Sequence, residues 1–220
     1  MINGYPWRCV MAFISTTPPD KAEDTVFEMY RRQEDAWGFV PNYAKVFCHR
    51  PEVMARWGRL LAEIRRPVDD RRFELVTFAA AHEIRHSACS LAHGKKLADI
   101  IGENDVIAMA SGELPGSLTE AELAVAAFAR RIARDASKIT SGEVDALKEI
   151  HGLSDEDIFD IAAIAAARCF FTKILDALGV QPDSSNMKLE RPFREALAVG
   201  RPIGLESPEY TAATSSAAAT

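Results

Sequence analysis

Cysteine is scarce and scattered: Cys9, Cys48, Cys89 and Cys169 are the only four in 220 residues. They share no short spacing, which excludes a disulfide framework and a Cys-x-x-Cys redox or zinc pair. Cys9, Cys48 and Cys169 are expected as buried free thiols. Long apolar runs are missing too. The most apolar window, Ile161 to Phe171, is interrupted by Arg168 and is too short to span a bilayer. The stretch Cys9 to Ile14 lacks a long apolar region followed by a small-residue cleavage site, so no signal peptide is expected. Basic charge is not in excess. Lys plus Arg number 26 against 32 Asp plus Glu, a net charge of −6, which disfavours nucleic acid and anionic membranes as partners. There is no glycine-rich phosphate loop and no serine nucleophile elbow. These absences leave a soluble cytoplasmic chain with reduced thiols, acting on small molecules.

Helical periodicity dominates what remains, and alternating strand patterns are absent. Pro19 to Trp37 reads as a first helix with Gly38 after it, and Gly38 to Tyr43 as a turn. Pro51 opens a second helix to about Arg66, stopped by Pro67. A third begins near Asp69, and Ser87 to Ile101 forms a fourth, ended by Gly102. A short helix runs from Asn104 to about Ala110. Thr119 with Glu122 opens a long helix to about Ala136. Ser141 starts a short helix, and Ser154 with Asp157 caps a last long one that stops at Gly179. The expected fold class is all-α.

The chain divides into an N-terminal segment (1–19), a helical domain (20–182) and a C-terminal arm (183–220) whose last residues, Tyr210 to Thr220, are nearly all Ala, Ser and Thr. The arm reads as extended, ending in a disordered tail. Its Phe193, Leu197 and Ile203 are expected to lie on another subunit.

Three of the five histidines crowd one stretch with a cysteine: His82, His86, Cys89 and His93. On a helix, His86, Cys89 and His93 share a stripe. An imidazole beside a thiol, at a helix N-terminus, favours the nucleophilic thiolate. Glu74 stands in the otherwise apolar stretch Phe73 to Ala81, where a carboxylate needs a partner. A histidine is the natural one, because a Glu–His pair fixes the tautomer and raises basicity. Glu74 orienting His93, and His93 serving Cys89, would be a proton relay. The bland alternative makes Glu74 a surface residue and both histidines satisfied core groups.

Weaker features read mostly as structure. His82 is a polar residue at a helix end. Trp37, Phe39 and Tyr43 beside Pro41 line a pocket or pack a core. Arg65-Arg66 and Asp69-Asp70-Arg71-Arg72 form a solvated charge run.

Glu74, eleven residues, then His86-Ser-Ala-Cys89-Ser-Leu-Ala-His93 resembles the signature of the AhpD-like alkylhydroperoxidase and carboxymuconolactone decarboxylase superfamily, Glu-x11-Cys-x2-Cys-x3-His. Glu74, Cys89 and His93 match its glutamate, second cysteine and histidine, while His86 stands at its first cysteine. Ile84-Arg85 replaces the Asn-Gly that precedes the motif. Gly38-Phe-Val-Pro-Asn-Tyr43 followed by His49-Arg-Pro-Glu52 resembles the peroxidase-related subfamily. So do Phe128-Ala-Arg-Arg-Ile132, Thr140-Ser-Gly-Glu-Val144, Gly152-Leu-Ser-Asp155 and Phe171-Thr-Lys-Ile-Leu-Asp-Ala-Leu-Gly179. The resemblance covers roughly residues 20–182. It implies an AhpD-like helical fold in a homo-oligomer (trimer or hexamer), with Cys89 as the peroxide-reacting thiol and Glu74–His93 as its relay. With His86 at the first cysteine, no local disulfide resolves the oxidised thiol.

Three readings stay open. The first is a one-cysteine hydroperoxide reductase, re-reduced by an external thiol, or by Cys48 or Cys169 if either folds nearby. The second is a cofactor-free acid–base enzyme (decarboxylase, isomerase or hydrolase) acting on a lactone or keto acid through His86 and His93. The third is a zinc or other transition-metal site built from Glu74, His86, Cys89 and His93.

Overall fold

A computed structural model describes residues 11–204. Among them there are ten α-helices and no strand, so the all-α expectation holds. Cys9 and the tail Tyr210 to Thr220 lie outside the described residues.

The helices are α1 (Asp24–Trp37), α2 (Asn42–Val46), α3 (Pro51–Arg65), α4 (Asp70–Glu83), α5 (Ser87–Ile101), α6 (Glu103–Ser111), α7 (Glu120–Asp135), α8 (Ser141–Glu149), α9 (Asp155–Ala177) and α10 (Arg191–Leu197). Their limits follow from local chemistry. Asp69 caps α4 by accepting from Arg72 N–H. Thr119, Thr140 and Ser154 close reciprocal capping boxes at the starts of α7, α8 and α9, each satisfying two otherwise orphaned donors. Two expectations shift. The first helix is split: a 3-10 turn at Pro19–Lys21 precedes α1. The turn at Pro41–Asn42 is the start of α2, with Pro41 as its N-cap.

Helix α4 is the central element and packs against α5, α7 and α9. Residues Phe73 to Ala81 are buried on every side, as befits a helix apolar all round. Its N-terminus is clamped. Arg71 forks onto Glu122 of α7, with Nε 2.5 Å from Oε1, and Arg72 pairs with Asp157 of α9. The run read as a solvated loop therefore holds three helices in register.

The C-terminal arm departs furthest from expectation. Its described part, residues 183–204, is not extended: residues Ser184–Lys188 form a 3-10 turn, and α10 packs on α5 and α6 of its own chain. Phe193 and Leu197 are fully buried in the main core, and Ile203 packs against it. Gly94 makes this docking sterically feasible. A Cβ there would stand 2.2 Å from Leu197 Cδ2 and 3.1 Å from Phe78. Gly200 serves the same end, since its Cβ would meet Arg85 O at 1.9 Å. Its N–H donates to Ser87 Oγ at 2.8 Å, seating the arm on the α4–α5 connection.

Candidate active site

That connection is tight. Arg85 occupies the left-handed region at φ 60°, a conformation costly for a residue with a Cβ. The N–H of His86 bonds to Ala81 O at 3.0 Å. His86 then has extended backbone (φ −94°, ψ 97°) and is the N-cap of α5. Its Nδ1 accepts from the N–H of Cys89 at 3.1 Å, the task usually given to Ser, Asp or Asn. The proton of the neutral ring therefore sits on Nε2, which faces Asp176 Oδ1 at 4.0 Å. Burial pulls the proton affinity of His86 down, and the nearby thiol and Asp176 push it up by more. A second proton has no free lone pair to occupy while the cap holds.

Cys89 follows in the first turn of α5, where unpaired N–H groups and the helix dipole favour an anion. It is 6% exposed and belongs to the second apolar cluster, with Phe47, Trp57 and Phe171 and with Tyr43 packed against it. Arg168 of α9, 4% exposed, donates from Nη1 to Cys89 Sγ at 3.3 Å. Burial raises the thiol pKa, but Arg168 and then His86 outweigh it and bring it down to about 7. With the His86 lone pair committed to the cap, we assign that pull chiefly to Arg168.

One turn further along α5, His93 Nδ1 lies 2.6 Å from Glu74 Oε2. Glu74 is 2% exposed, and Lys96 Nζ stands 4.0 Å from its other oxygen. With Nδ1–H donating to the carboxylate, Nε2 carries the free lone pair. Burial, followed by the Arg168 charge, pulls the His93 pKa down to about 4, against the upward pull of Glu74. The ring is therefore neutral at pH 7, with a lone pair on Nε2 that can take a proton. Among the described residues His93 makes no hydrogen bond to Cys89.

The structure thus joins Glu74 to His93, and His86 to Cys89, on the α4–α5 corner. It does not gather the four as metal ligands. Among the described residues no three His, Cys, Asp or Glu side chains are placed to hold one ion. His82 stands apart, bonded to Ser90 Oγ and Ala110 O at 3.2 Å each. Cys48 and Cys169 are free thiols, half-buried rather than buried. Cys48 Sγ accepts from Thr17 N–H. Cys169 packs against the main core and not the Cys89 cluster. Tyr43 packs edge-on against Phe171 at 5.4 Å, and burial lifts its pKa to about 12, while Trp37 is largely exposed beneath Lys96.

Sequence reasoning missed Arg168, Asp176 and Arg201. Arg201 Nη2 donates to Asp176 O at 2.6 Å, and its Nε is 3.8 Å from Asp176 Oδ1, so the arm backs the His86 side of the site. The signal for Arg168 was present: a lone cation in the most apolar window of the chain.

No family model matches the chain, and no curated protein matches it. Solved structures do. An AhpD-core, peroxidase-related protein from Ralstonia eutropha JMP134 is 21% identical, with TM-score 0.69 over 83% of this chain and 96% of that one. A peroxidase-related protein from Silicibacter sp. TM1040 is 16% identical, with TM-score 0.62 over 80% and 91%. A cysteine-to-alanine variant of the debrominase Bmp8 in complex with 2,3,4-tribromopyrrole is 20% identical, with TM-score 0.64 over 83% and 94%. These likenesses establish the AhpD-type helical fold. No helix among the described residues is long and apolar enough to cross a membrane.

Proposed function

We propose that the chain is a one-cysteine hydroperoxide reductase of the AhpD-like superfamily. The observation that carries this reading is Cys89 Sγ in the first turn of α5, 3.3 Å from a buried guanidinium, with the Glu74–His93 pair one turn along the same helix. The cation beside it makes the thiol a nucleophile near neutral pH against the upward pull of burial.

The step balances without an outside proton. Cys89 thiolate attacks the terminal oxygen of R–O–O–H; the S–O bond forms, and the O–O bond breaks with both electrons on RO. His93 Nε2 takes the proton of the attacked oxygen and returns it to RO, while Glu74 stabilises the transient imidazolium. The products are Cys89 sulfenate and ROH. The sulfenate takes a proton from solvent, an external thiol displaces water from the sulfur to give a mixed disulfide, and a second thiol releases Cys89 thiolate and the external disulfide and returns the proton. Cys169, one residue beyond Arg168 on α9, is turned about 100° away from it, and Cys48 Sγ is engaged by Thr17 N–H, so we take the reductant to be an external thiol.

A second reading, acid–base catalysis on a lactone or keto acid, draws support from the neutral His93 alone, because the lone pair of His86 is spent on the cap. The test is brief treatment with one equivalent of cumene hydroperoxide under a dimedone trap, beside Cys89→Ser. Selective labelling of Cys89 is expected. Labelling no faster than that of Cys48 and Cys169 refutes the peroxidase reading and sends the search to proton-transfer substrates. A parallel arm with 2,3,4-tribromopyrrole asks whether the same thiolate attacks bromine.

A further inference from the structure

Arg71 and Arg72 stand side by side at the start of α4 and use their guanidiniums unequally. Arg71 grips Glu122 with the edge formed by Nε and Nη2, at 2.5 and 3.3 Å. That edge matches a carboxylate through two parallel bonds. Arg72 meets Asp157 through Nη1, and its Nε and Nη2 make no hydrogen bond among the described residues. Both side chains line a cavity of about 240 Å³ between the first turns of α4, α7 and α9, room for a molecule of several heavy atoms rather than a single water. At about 1.5 Å of rise per residue, α4 sets this cavity about 20 Å from the connection that leads to Cys89.

The wall holds acceptors that are spent and donors that are not. Glu122 accepts from Arg71 and from Thr119 N–H and Oγ–H. Asp157 accepts from Arg72 and from Ser154 N–H and Oγ–H. Asp69 accepts from Arg72 N–H through one oxygen. Against these, the Nε–Nη2 edge of Arg72 is open, and half-buried His151 makes no hydrogen bond among the described residues. The apolar part of the wall is Leu75, Val125 and Leu153, all buried. Open donors call for an acceptor, the forked edge for a carboxylate, and the apolar wall for a hydrocarbon body. Three carboxylates against two guanidiniums disfavour a multiply charged anion.

We propose that this cavity is a binding site for a small aliphatic monocarboxylate, anchored on Nε and Nη2 of Arg72 with its hydrocarbon body against Leu75, Val125 and Leu153. The site is separate from Cys89 and does not rest on the hydroperoxide reading.

The test is heteronuclear NMR of the full chain, titrated with isovalerate, with its neutral isostere isovaleramide and with inorganic phosphate. The methyl resonances of Val125 and Leu153 read the hydrocarbon body, and the Arg72 Nε–H resonance reads the carboxylate. Isovalerate is expected to move all three saturably with one midpoint. Isovaleramide and phosphate are expected to bind about tenfold more weakly or worse. Arg72→Lys keeps a cation beside Asp157 and loses the fork, so it is expected to raise the isovalerate midpoint, read on the methyl resonances, about tenfold. A shift that does not saturate overturns the site. Equal binding of isovaleramide overturns carboxylate recognition, and tighter binding of phosphate overturns the role of the apolar wall. An unchanged midpoint in Arg72→Lys overturns Arg72 as the anchor. No peroxide is present in any arm, so failure here and failure of the Cys89 chemistry are read separately.

Discussion

Replacing Glu74 by Gln isolates the relay. The amide is nearly isosteric and its carbonyl still accepts from His93 Nδ1–H, so the tautomer and the packing of α4 against α5 are kept. What disappears is the negative charge 2.6 Å from the ring. A hydrogen bond to a charged group contributes about 1.5–3 kcal/mol, against about 0.5–1.5 for a neutral one. The transient imidazolium therefore loses about 1–2 kcal/mol, and each 1.4 kcal/mol is tenfold in rate. Oxidation of Cys89 by cumene hydroperoxide should slow about five- to thirtyfold, well short of the 10²–10⁴-fold expected when His93→Gln removes the proton carrier. The Cys89 thiol is tuned by Arg168 and His86 and not by Glu74, so iodoacetamide alkylation at pH 7 should stay unchanged. Rapid-quench oxidation and alkylation, followed on the same peptide, give both rates. An oxidation rate within twofold of the unaltered chain refutes the relay. Equal slowing of oxidation and alkylation refutes it differently, by showing that Glu74 acts through the position of the thiol.

The Cys89 thiol titrates at about 7 in the folded chain against an ordinary value of 9, so the unfolded chain holds the proton more tightly. The resulting stabilisation is complete above pH 9 and is lost as pH falls through 7; by linkage it amounts to about 2–3 kcal/mol. Urea unfolding of the chain and of Cys89→Ser between pH 6 and 9.5 should diverge by that amount, and parallel curves would contradict the assignment. Arg85→Gly relieves the left-handed backbone at φ 60° and should raise stability by about 0.5–1 kcal/mol, read as a higher denaturation midpoint; a lower one would mean that the Arg85 side chain contributes more than its backbone costs. Thr77 is fully buried in α4 with an unpartnered hydroxyl, so Thr77→Val should stabilise by about 1 kcal/mol, and a loss would show that the hydroxyl has a partner in solution.

Helix limits were legible because they are set locally. The Thr119, Thr140 and Ser154 boxes and the Ser87–Ile101 limits depend on residues within four positions of each other. The Glu74–His93 pair was legible for a different reason: a carboxylate inside an apolar helix needs a partner, and few were on offer. Spacing failed for His86. A shared stripe requires His86 to be helical, whereas its ψ of 97° puts it outside α5, with its ring turned back onto Cys89 N–H. Contacts distant in sequence were not legible at all. Arg168 lies 79 residues from Cys89. Nothing local announces that Gly94 leaves a slot for Leu197, so the apolar residues of the arm looked like a surface for a neighbouring subunit.

The histidine at position 86 can be read as chemistry or as architecture, and the two readings predict opposite results for one variant. As architecture, His86 contributes a lone pair to the N–H of Cys89 and fills a site 1% exposed. Asn at an N-cap supplies the same acceptor, while Ala supplies none, at a cost of about 0.5–2 kcal/mol for the cap and more for the cavity. His86→Asn should therefore hold α5 in place and keep most of the peroxide reaction, with Arg168 still beside the thiol. His86→Ala should lose stability and loosen the first turn that carries Cys89. As chemistry, His86 would move protons through Nε2 and Asp176, and His86→Asn would be as inactive as His86→Ala despite its better fold. Thermal midpoints and oxidation rates measured together decide between them. A well-folded, inactive His86→Asn would sink the architectural reading and return His86 to the proton path.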